Sequence, residues 1–219
     1  MSTSYPYIDL HCHRHNHEVD VVSVYNLLLH ENQDIPDFPF SAGLHPWHAS
    51  VFSPEILSIA LDGFTACPNL IAFGETGLDK ACDVPMQLQQ DIFELHLKKA
   101  EEIGKPLILH CVKAWDEIIE IAAGYSVTRI LHGYNGSPQL TGRLLKQGFN
   151  FSIGKAIRFP DAKIHKAIPM IPISSLFCET DNSDISIQDI YTALSASLKL
   201  SEEKLRETIF NNFTRLRSA

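Results

Sequence analysis

The chain has 219 residues, of which 45% are hydrophobic and 20% are charged, and its formal net charge is −8. These proportions are typical of a globular protein and exclude a disordered or collagen-like chain. The longest apolar runs are far shorter than the roughly 20 residues of a membrane-spanning helix. The first histidines also come before any apolar core of a secretory signal. We therefore expect a cytoplasmic protein with no membrane partner.

The acidic balance limits the kinds of partner that the chain can bind. With 18 Lys and Arg against 26 Asp and Glu, no broad basic surface is available to neutralise a nucleic-acid backbone. A phosphate substrate must therefore be held locally, by metal ions or by a few cations. Five cysteines without a C-x-x-C pair argue against a disulfide framework and a cysteine zinc site. We expect a monomer.

Short runs rich in Val, Ile, Leu and Phe recur along the chain, each followed by a loop and a helical pattern. The eight predicted strands are Tyr7–Leu10, Val19–Val24, Phe40–Leu44, Leu70–Gly74, Leu107–Leu109, Arg129–Leu131, Asn150–Ile153 and Leu176–Cys178. Alternating strands and helices predict parallel β-α units. Eight units without a linker predict one (β/α)8 TIM-type barrel domain over residues 1–219, near the short end of the size range for that fold.

Helix boundaries are also visible in the sequence. Ser53 and Ser137 each precede a proline, which predicts a capped helix start. A helix is predicted between Pro85 and Gly104, because apolar residues recur there at steps of three and four. A final helix is expected to open at Ser201 and to close the floor of the barrel.

Metal-ligand residue types come at or just after the ends of five predicted strands. They are His11, His13, Glu75, His110, His132 and Asp181. The carboxyl ends of barrel strands converge on one face, so residues far apart in sequence can meet there. His11 and His13 are two apart on a strand and point the same way. Four imidazoles and two carboxylates can hold two divalent ions, and Mg, Mn, Zn and Ni are all plausible occupants.

Six motifs in this order resemble those of the TatD family of metal-dependent hydrolases, within the amidohydrolase-like barrels. They read YIDLHCH, AGLHPW, FGETGLD, PLILHC, ILHGYNGS and LFCETDNS. The resemblance runs from about Tyr7 to Leu216, where a closing Asn-Phe-Thr-Arg-Leu is also similar to the family's last helix.

The resemblance implies a role for each residue that matches a motif. One ion would be held by His11, His13 and Asp181. A second would be held by His110 and His132, and Glu75 would bridge the two ions.

Further residues have two interpretations each. His45 either lies near the substrate or is an ordinary loop histidine, and Glu179 either orients a metal ligand or caps a neighbouring loop. Lys113, Lys155 and Arg158 follow strands and either reach a substrate phosphate or are solvated surface charges. The segment after Asp184 lacks the proline-rich loop with an arginine that family members carry, which affects substrate identity more than metal binding.

The function that the resemblance implies is hydrolysis of a phosphodiester, as in a deoxyribonuclease that acts on DNA ends. A metal-bound hydroxide would attack phosphorus while Asp181 takes or positions the proton of the water. One alternative is hydrolysis of a small ester, amide or phosphate that is not a nucleic acid. A second alternative is a metal-binding scaffold without catalysis.

Overall fold

The computed structural model describes residues 5–31 and 34–218. Within these residues the strands are β1 (Tyr7–Cys12), β2 (Val21–Leu28), β3 (Phe40–Gly43), β4 (Leu70–Asp79), β5 (Leu107–Val112), β6 (Arg129–Leu131), β7 (Asn150–Ile153) and β8 (Leu176–Cys178). They form one sheet in the order β1 to β8. The strand pairs whose register is described, such as β3 with β4 and β4 with β5, are parallel.

From β3 onward helices alternate with the strands, whereas the described residues contain no helix between β1 and β2 or between β2 and β3, unlike the eight β-α units predicted from the sequence. The helices are α1 (Pro54–Asp62), α2 (Met86–Ile103), α3 (Trp115–Ala122), α4 (Pro138–Lys146), α5 (Ile164–Ala167), α6 (Ile187–Leu198) and α7 (Glu202–Ser218). Short 3-10 segments cover Pro46–His48, Lys155–Arg158, Ile168–Met170 and Ile173–Ser175. None of the helices in the described part of the chain is long and apolar enough to cross a membrane.

The predicted helix boundaries are confirmed where side-chain caps define them. Ser53 Oγ accepts a hydrogen bond from the Ile56 amide at the start of α1. Ser137 does the same for the Leu140 amide at the start of α4. Each serine satisfies an amide that has no partner inside the first turn of its helix.

The three C-terminal strands β6, β7 and β8 have the bounds predicted from the sequence, but β1, β4 and β5 are longer than predicted. β2 covers Val21–Leu28 instead of the predicted Val19–Val24, and β3 ends at Gly43, one residue earlier than predicted. β4 continues five residues beyond its predicted end at Gly74, and β5 continues to Val112. Glu75 and His110 therefore lie inside strands rather than in the loops that follow them. β4 continues through Gly74 and Gly77, where a Cβ atom would collide with the Ile108 and His110 carbonyl oxygens of β5.

The described chain divides into two compact units. The first unit contains residues 5–25 together with Leu131–Ser218, and the second is the continuous stretch Asn26–Ile130. The prediction of one domain over residues 1–219 stays a prediction.

In the first unit, α6 and α7 cover the strands that come from the two ends of the chain. The buried Tyr191 of α6 binds β1 directly, because its hydroxyl accepts from the Ile8 amide at 3.0 Å and lies 3.2 Å from the Ile8 carbonyl. α7 begins at Glu202 and packs against β1 and β8 through Leu205 and Ile209, which are fully buried.

In the second unit, α2 packs against β4 with the apolar face that its sequence predicts. Phe93, Leu97 and Ala100 are fully buried. The same face also buries two polar residues that periodicity alone does not identify, Gln89 and His96. Both are accommodated because their side chains bind the main chain of neighbouring segments.

His96 is fully buried and uses both ring nitrogens. Nε2 accepts from the Leu44 amide at 3.1 Å, and Nδ1 lies 2.8 Å from the Ile92 carbonyl. Burial lowers the pKa of His96 from 6.5 to about 4. The ring therefore stays neutral in the folded protein while the unfolded chain protonates it below about pH 6.5.

We expect His96 to make stability depend on pH. Between pH 6.5 and 4 the unfolded chain binds more protons, so the free energy of unfolding falls as the pH falls through this window. The loss between pH 7.5 and 5 is about 2 kcal/mol. Urea unfolding in EDTA at several pH values measures it, and His96→Gln should flatten the profile. If the unfolding free energies of the unaltered protein and of His96→Gln fell in parallel with pH, His96 would not be the source of the dependence. His165→Gln, at a half-exposed histidine, serves as the control.

Candidate metal centres

The first unit brings together a group of potential metal ligands from β1, from the segment after β6 and from the segment after β8. One ligand atom each from His11, His132 and Asp181 lies within 4.8 Å of the other two. His13 belongs to the same neighbourhood, since its Nε2 is 3.4 Å from Asp181 Oδ1, and His11 Nε2 is 3.7 Å from that oxygen. His11 of β1 and His13, one residue past the end of that strand, thus face one carboxylate, as their spacing predicts.

Main-chain hydrogen bonds set the position of Asp181. Its amide donates to the His11 carbonyl at 2.8 Å, and its carbonyl accepts from the His13 amide at 3.2 Å. Asp9, which is buried in β1, accepts from both the amide and the hydroxyl of Thr180. Burial raises the pKa of Asp9 to about 7, although the bonds from Thr180 oppose this shift. The residue before Asp181 is thereby fixed to β1.

Asp181 also has an unusual backbone conformation, with φ of +54°. Few residues other than Gly, Asn and Asp adopt this left-handed region, and it is common at functional sites. About a third of the Asp181 side chain is exposed. Its carboxylate is therefore accessible to water and substrate, unlike that of the fully buried Glu179.

Glu179 lies beside His132. Its Oε1 accepts from the Gly133 amide and is 3.4 Å from His132 Nδ1. Its Oε2 is buried and has no hydrogen-bond partner in the described part of the chain. A buried carboxylate without full hydrogen bonding is costly unless positive charge is close. This arrangement agrees with the interpretation that Glu179 orients a metal ligand.

The second unit holds another group, which comes from β4, from β5 and from the segment after β3. One ligand atom each from His45, Glu75 and His110 lies within 4.8 Å of the others. Glu75 Oε1 is 2.9 Å from His110 Nδ1 and 3.4 Å from His45 Nε2. His45, which the sequence left between two interpretations, therefore contacts the carboxylate that the resemblance makes a bridging ligand.

Asn26 fixes Glu75 from β2. Its Oδ1 accepts from the Glu75 amide at 3.1 Å, and its Nδ2 is 3.4 Å from Glu75 Oε2. Both side chains are buried. The carboxylate thus keeps one oxygen directed at the two histidines.

Asp79 is a further residue of this group that sequence reasoning missed. Its Oδ2 is 3.3 Å from His110 Nε2 and accepts from Trp47 Nε1 at 2.6 Å. Burial alone raises the pKa of Asp79, but hydrogen bonds from Trp47, Ala81 and His110 outweigh it, and the net shift is downward. A signal was present, because Asp79 is four residues after Glu75 and residues at even spacing share a strand face.

The three cations that the sequence left between a phosphate contact and a solvated surface charge lie at different places. Lys113 follows the last residue of β5, is exposed and has a φ of +56°. Lys155 is exposed at the start of the 3-10 segment after β7. Arg158 ends that segment and forms an ion pair with Asp189 of α6 at 2.9 Å. Their contact with a substrate phosphate stays a prediction.

Both groups consist of imidazole nitrogens and carboxylate oxygens. This donor set suits borderline and hard divalent cations such as zinc, manganese and magnesium. Glu179 lies next to His132, and Asp79 lies next to His110. A carboxylate in this position is typical of a metal-binding histidine, whose second nitrogen usually binds a carboxylate or carbonyl. The residues present therefore fit divalent metal ions.

Comparison with known proteins identifies relatives over most of the chain. The family described as TatD related DNase matches residues 18–218. YjjV of Escherichia coli (strain K12), named an uncharacterized metal-dependent hydrolase, is 33% identical over 153 residues, which are 66% of this chain and 58% of YjjV. The human 3'-5' RNA nuclease TATDN2 is 32% identical over 149 residues, which are 64% of this chain and 19% of that protein. These alignments thus span little more than half of the bacterial relative and a fifth of the human one.

The solved structure of YjjV gives a TM-score of 0.78 at 23% sequence identity and covers 97% of this chain and 98% of that one. This likeness confirms the predicted fold class, a compact β/α barrel of TIM type. The family match begins at residue 18, after His11 and His13. It includes all the other candidate metal ligands of both groups. Because the match covers nearly the whole sequence, the chain belongs to the TatD family, whose matched relatives include proteins named metal-dependent hydrolases.

Proposed function

We propose that this protein is a divalent-metal-dependent phosphodiesterase that removes nucleotides from nucleic-acid ends. The observation that carries the proposal is the presence of two groups of histidines and carboxylates, each with its ligand atoms within 4.8 Å. Three converging nitrogen and oxygen ligands leave coordination positions for water and substrate. Hydrolysis needs such open positions, whereas a purely structural metal site is closed.

Two ions are proposed, as the family resemblance implies. His11, His13 and Asp181 would hold one, His110 and His132 would hold the other, and Glu75 would contribute to both. The close approach of His132 to His11, with ring centroids 4.7 Å apart, also allows His132 to serve the first ion. Bound divalent ions supply a water of lowered pKa and neutralise charge on the phosphate.

Asp181 is the residue proposed to receive the proton of the attacking water. Its carboxylate is partly exposed, and its main chain is held by hydrogen bonds to His11 and His13. A general base has to be fixed and within hydrogen-bond reach of the proton that it takes. The fixed main chain and the exposure of Asp181 support this role, whereas Glu179 is fully buried.

His45 is proposed to contact the substrate next to Glu75. Its Nδ1 accepts from the Trp47 amide at 3.2 Å, so the neutral ring carries its proton on Nε2. That nitrogen is 3.4 Å from Glu75 Oε1. It can therefore donate a hydrogen bond to a substrate oxygen.

The substrate class is proposed from the relatives. The family carries the description DNase, and TATDN2 is named a 3'-5' RNA nuclease. Both descriptions concern phosphodiester bonds of nucleic acid. A net charge of −8 also favours short contacts at a strand end over a long duplex footprint.

The test is hydrolysis of end-labelled single-stranded DNA and RNA by the purified protein loaded with manganese or magnesium. We expect stepwise shortening from one end, at least about 100-fold slower in EDTA and restored by excess metal. Metal content is measured in parallel, and two ions per chain are expected. Metal binding without cleavage of either nucleic acid would contradict the proposal and favour a small ester, amide or phosphate substrate.

A further inference from the structure

We propose that Trp47 is the surface on which a nucleobase of the substrate stacks, next to the phosphodiester that is cleaved. This inference rests on the proposed function and adds a residue that reads the substrate as nucleic acid. The ligand class is therefore a nucleotide that carries its base. Trp47 would recognise the aromatic face of that base, whichever of the bases it is.

The indole of Trp47 is both exposed and fixed. It is the largest of the exposed hydrophobic side chains in the described residues, with 55% of its surface accessible. Its Nε1 donates to Asp79 Oδ2 at 2.6 Å. Asp79 is itself buried, and its Oδ1 accepts from the Ala81 amide at 2.7 Å. The ring is thus held by one edge and leaves much of its surface open to solvent.

Trp47 also lies beside the candidate metal ligands of the second unit. Its ring centroid is 4.7 Å from that of His45, at an interplanar angle of 81°, and 6.2 Å from that of His110. The 3-10 segment Pro46–His48 follows His45 directly, so the ring is tied to that ligand through the chain as well. A base resting on the indole is therefore close to the groups that act on its phosphate.

Stacking provides binding that the charge of the protein does not. The chain is acidic and lacks the excess of cations that usually holds a nucleic-acid backbone. Stacking of a base on an aromatic side chain contributes to binding for every base, because every base has a π face. One stacked base typically accounts for a change in affinity on the order of tenfold or more.

The experiment compares two oligonucleotides that differ only in their terminal bases. One is a single-stranded DNA of ordinary thymidines, and the other is identical except that the terminal nucleosides at both ends lack a base. The measured quantity is the ratio of KM for the abasic DNA to KM for the ordinary DNA. We expect a ratio of about ten in the unaltered protein.

Two variants separate stacking from the hydrogen bond to Asp79. Trp47→Leu removes the aromatic face, and its ratio is expected to fall to about one. Trp47→Phe keeps an aromatic face but lacks the N–H that binds Asp79, and it is expected to keep most of the ratio. Equal loss in both variants would show that Trp47 acts by positioning Asp79 and His110, which would overturn the inference.

A binding measurement without catalysis completes the test. Trp47 and Trp115 are the two tryptophans of the chain, so Trp115→Phe leaves Trp47 as the single indole fluorophore. Stacking should quench its emission when a hydrolysis-resistant phosphorothioate thymidine oligonucleotide is added, and less so with the abasic counterpart. Cleavage of DNA with equal KM for both oligonucleotides would overturn the inference while the proposed function stands. Neither cleavage nor quenching would reject both.

Discussion

Asp181→Asn is expected to lower the metal-dependent rate by about 1,000-fold or more while the protein stays folded. The change keeps the size of the side chain but removes the negative charge that faces His11 and His13 at 3.7 and 3.4 Å. It also removes the proposed proton acceptor, and loss of a general base alone typically costs about 100-fold to 10,000-fold in rate. Initial rates on labelled DNA, together with bound metal per chain, measure the effect.

The fold should tolerate this change because of the backbone at position 181. Asparagine is among the few residues that adopt a φ near +54° readily. The hydrogen bonds that hold the segment use main-chain atoms, which the substitution leaves in place. Circular dichroism and the midpoint of thermal unfolding are therefore expected to stay close to those of the unaltered protein.

A matched control lies three residues further on. Asp184 is exposed and forms an ion pair with Arg14 at 2.9 Å. Asp184→Asn removes the same charge from the same loop without touching either histidine, and it is expected to keep most of the activity. Comparable rates for the Asp181 variant and the unaltered protein would remove Asp181 from the mechanism.

Gly77→Ala is expected to destabilise the protein by about 3 kcal/mol or more, the combined effect of overpacking and backbone strain. Gly77 has a φ of +140°, and a Cβ atom there would lie 2.1 Å from the His110 carbonyl oxygen. β4 and β5 pair at this point, with Gly77 opposite His110. An alanine would have to push the two strands apart, and both carry candidate metal ligands.

Urea unfolding and the midpoint of thermal unfolding measure this loss. For a chain of this size, 1 kcal/mol corresponds to about 2–4 °C, so a fall of at least about 6 °C is expected. Gly142→Ala in α4 is the control, since its Cβ would meet only Met170 Cε at 3.7 Å, an ordinary contact. That variant should gain up to about 1 kcal/mol from the better helix propensity of alanine. A Gly77 variant as stable as the unaltered protein would contradict the close strand approach.

The same glycines explain where sequence reasoning about the fold succeeded and failed. Runs of apolar residues predicted all eight strands, because burial on both faces requires such runs. The end of β4 was misplaced because Gly74 and Gly77 have the character of turn residues when sequence alone is considered. In the folded chain they lie within a strand, and at Gly43 a Cβ atom would approach the Gly74 Cα to 2.6 Å. Only tertiary contact distinguishes a glycine needed for close approach from one needed for a turn.

The candidate metal ligands could be predicted from the sequence, whereas the residues that support them could not. His11, His13 and His110 stand at strand ends in motifs of metal-binding residue types, a pattern that is local in sequence. The support given by Asn26 to Glu75 depends on a contact between distant strands, which no local pattern shows. Likewise, the sequence left Arg158 between a phosphate contact and a solvated surface charge, and its ion pair with Asp189 is visible only in the folded chain.

The division of the ligands between the two units has a consequence for how the protein is made. His45, Glu75 and His110 all lie in the continuous stretch Asn26–Ile130, so this group can assemble while the ribosome is still adding later residues. His11 must wait for Asp181, which follows the last strand, before its own group is complete. Closing that much longer loop also costs more chain entropy. The group around Glu75 therefore depends only on contacts within Asn26–Ile130, whereas the group around His11 forms only after the chain has reached Asp181.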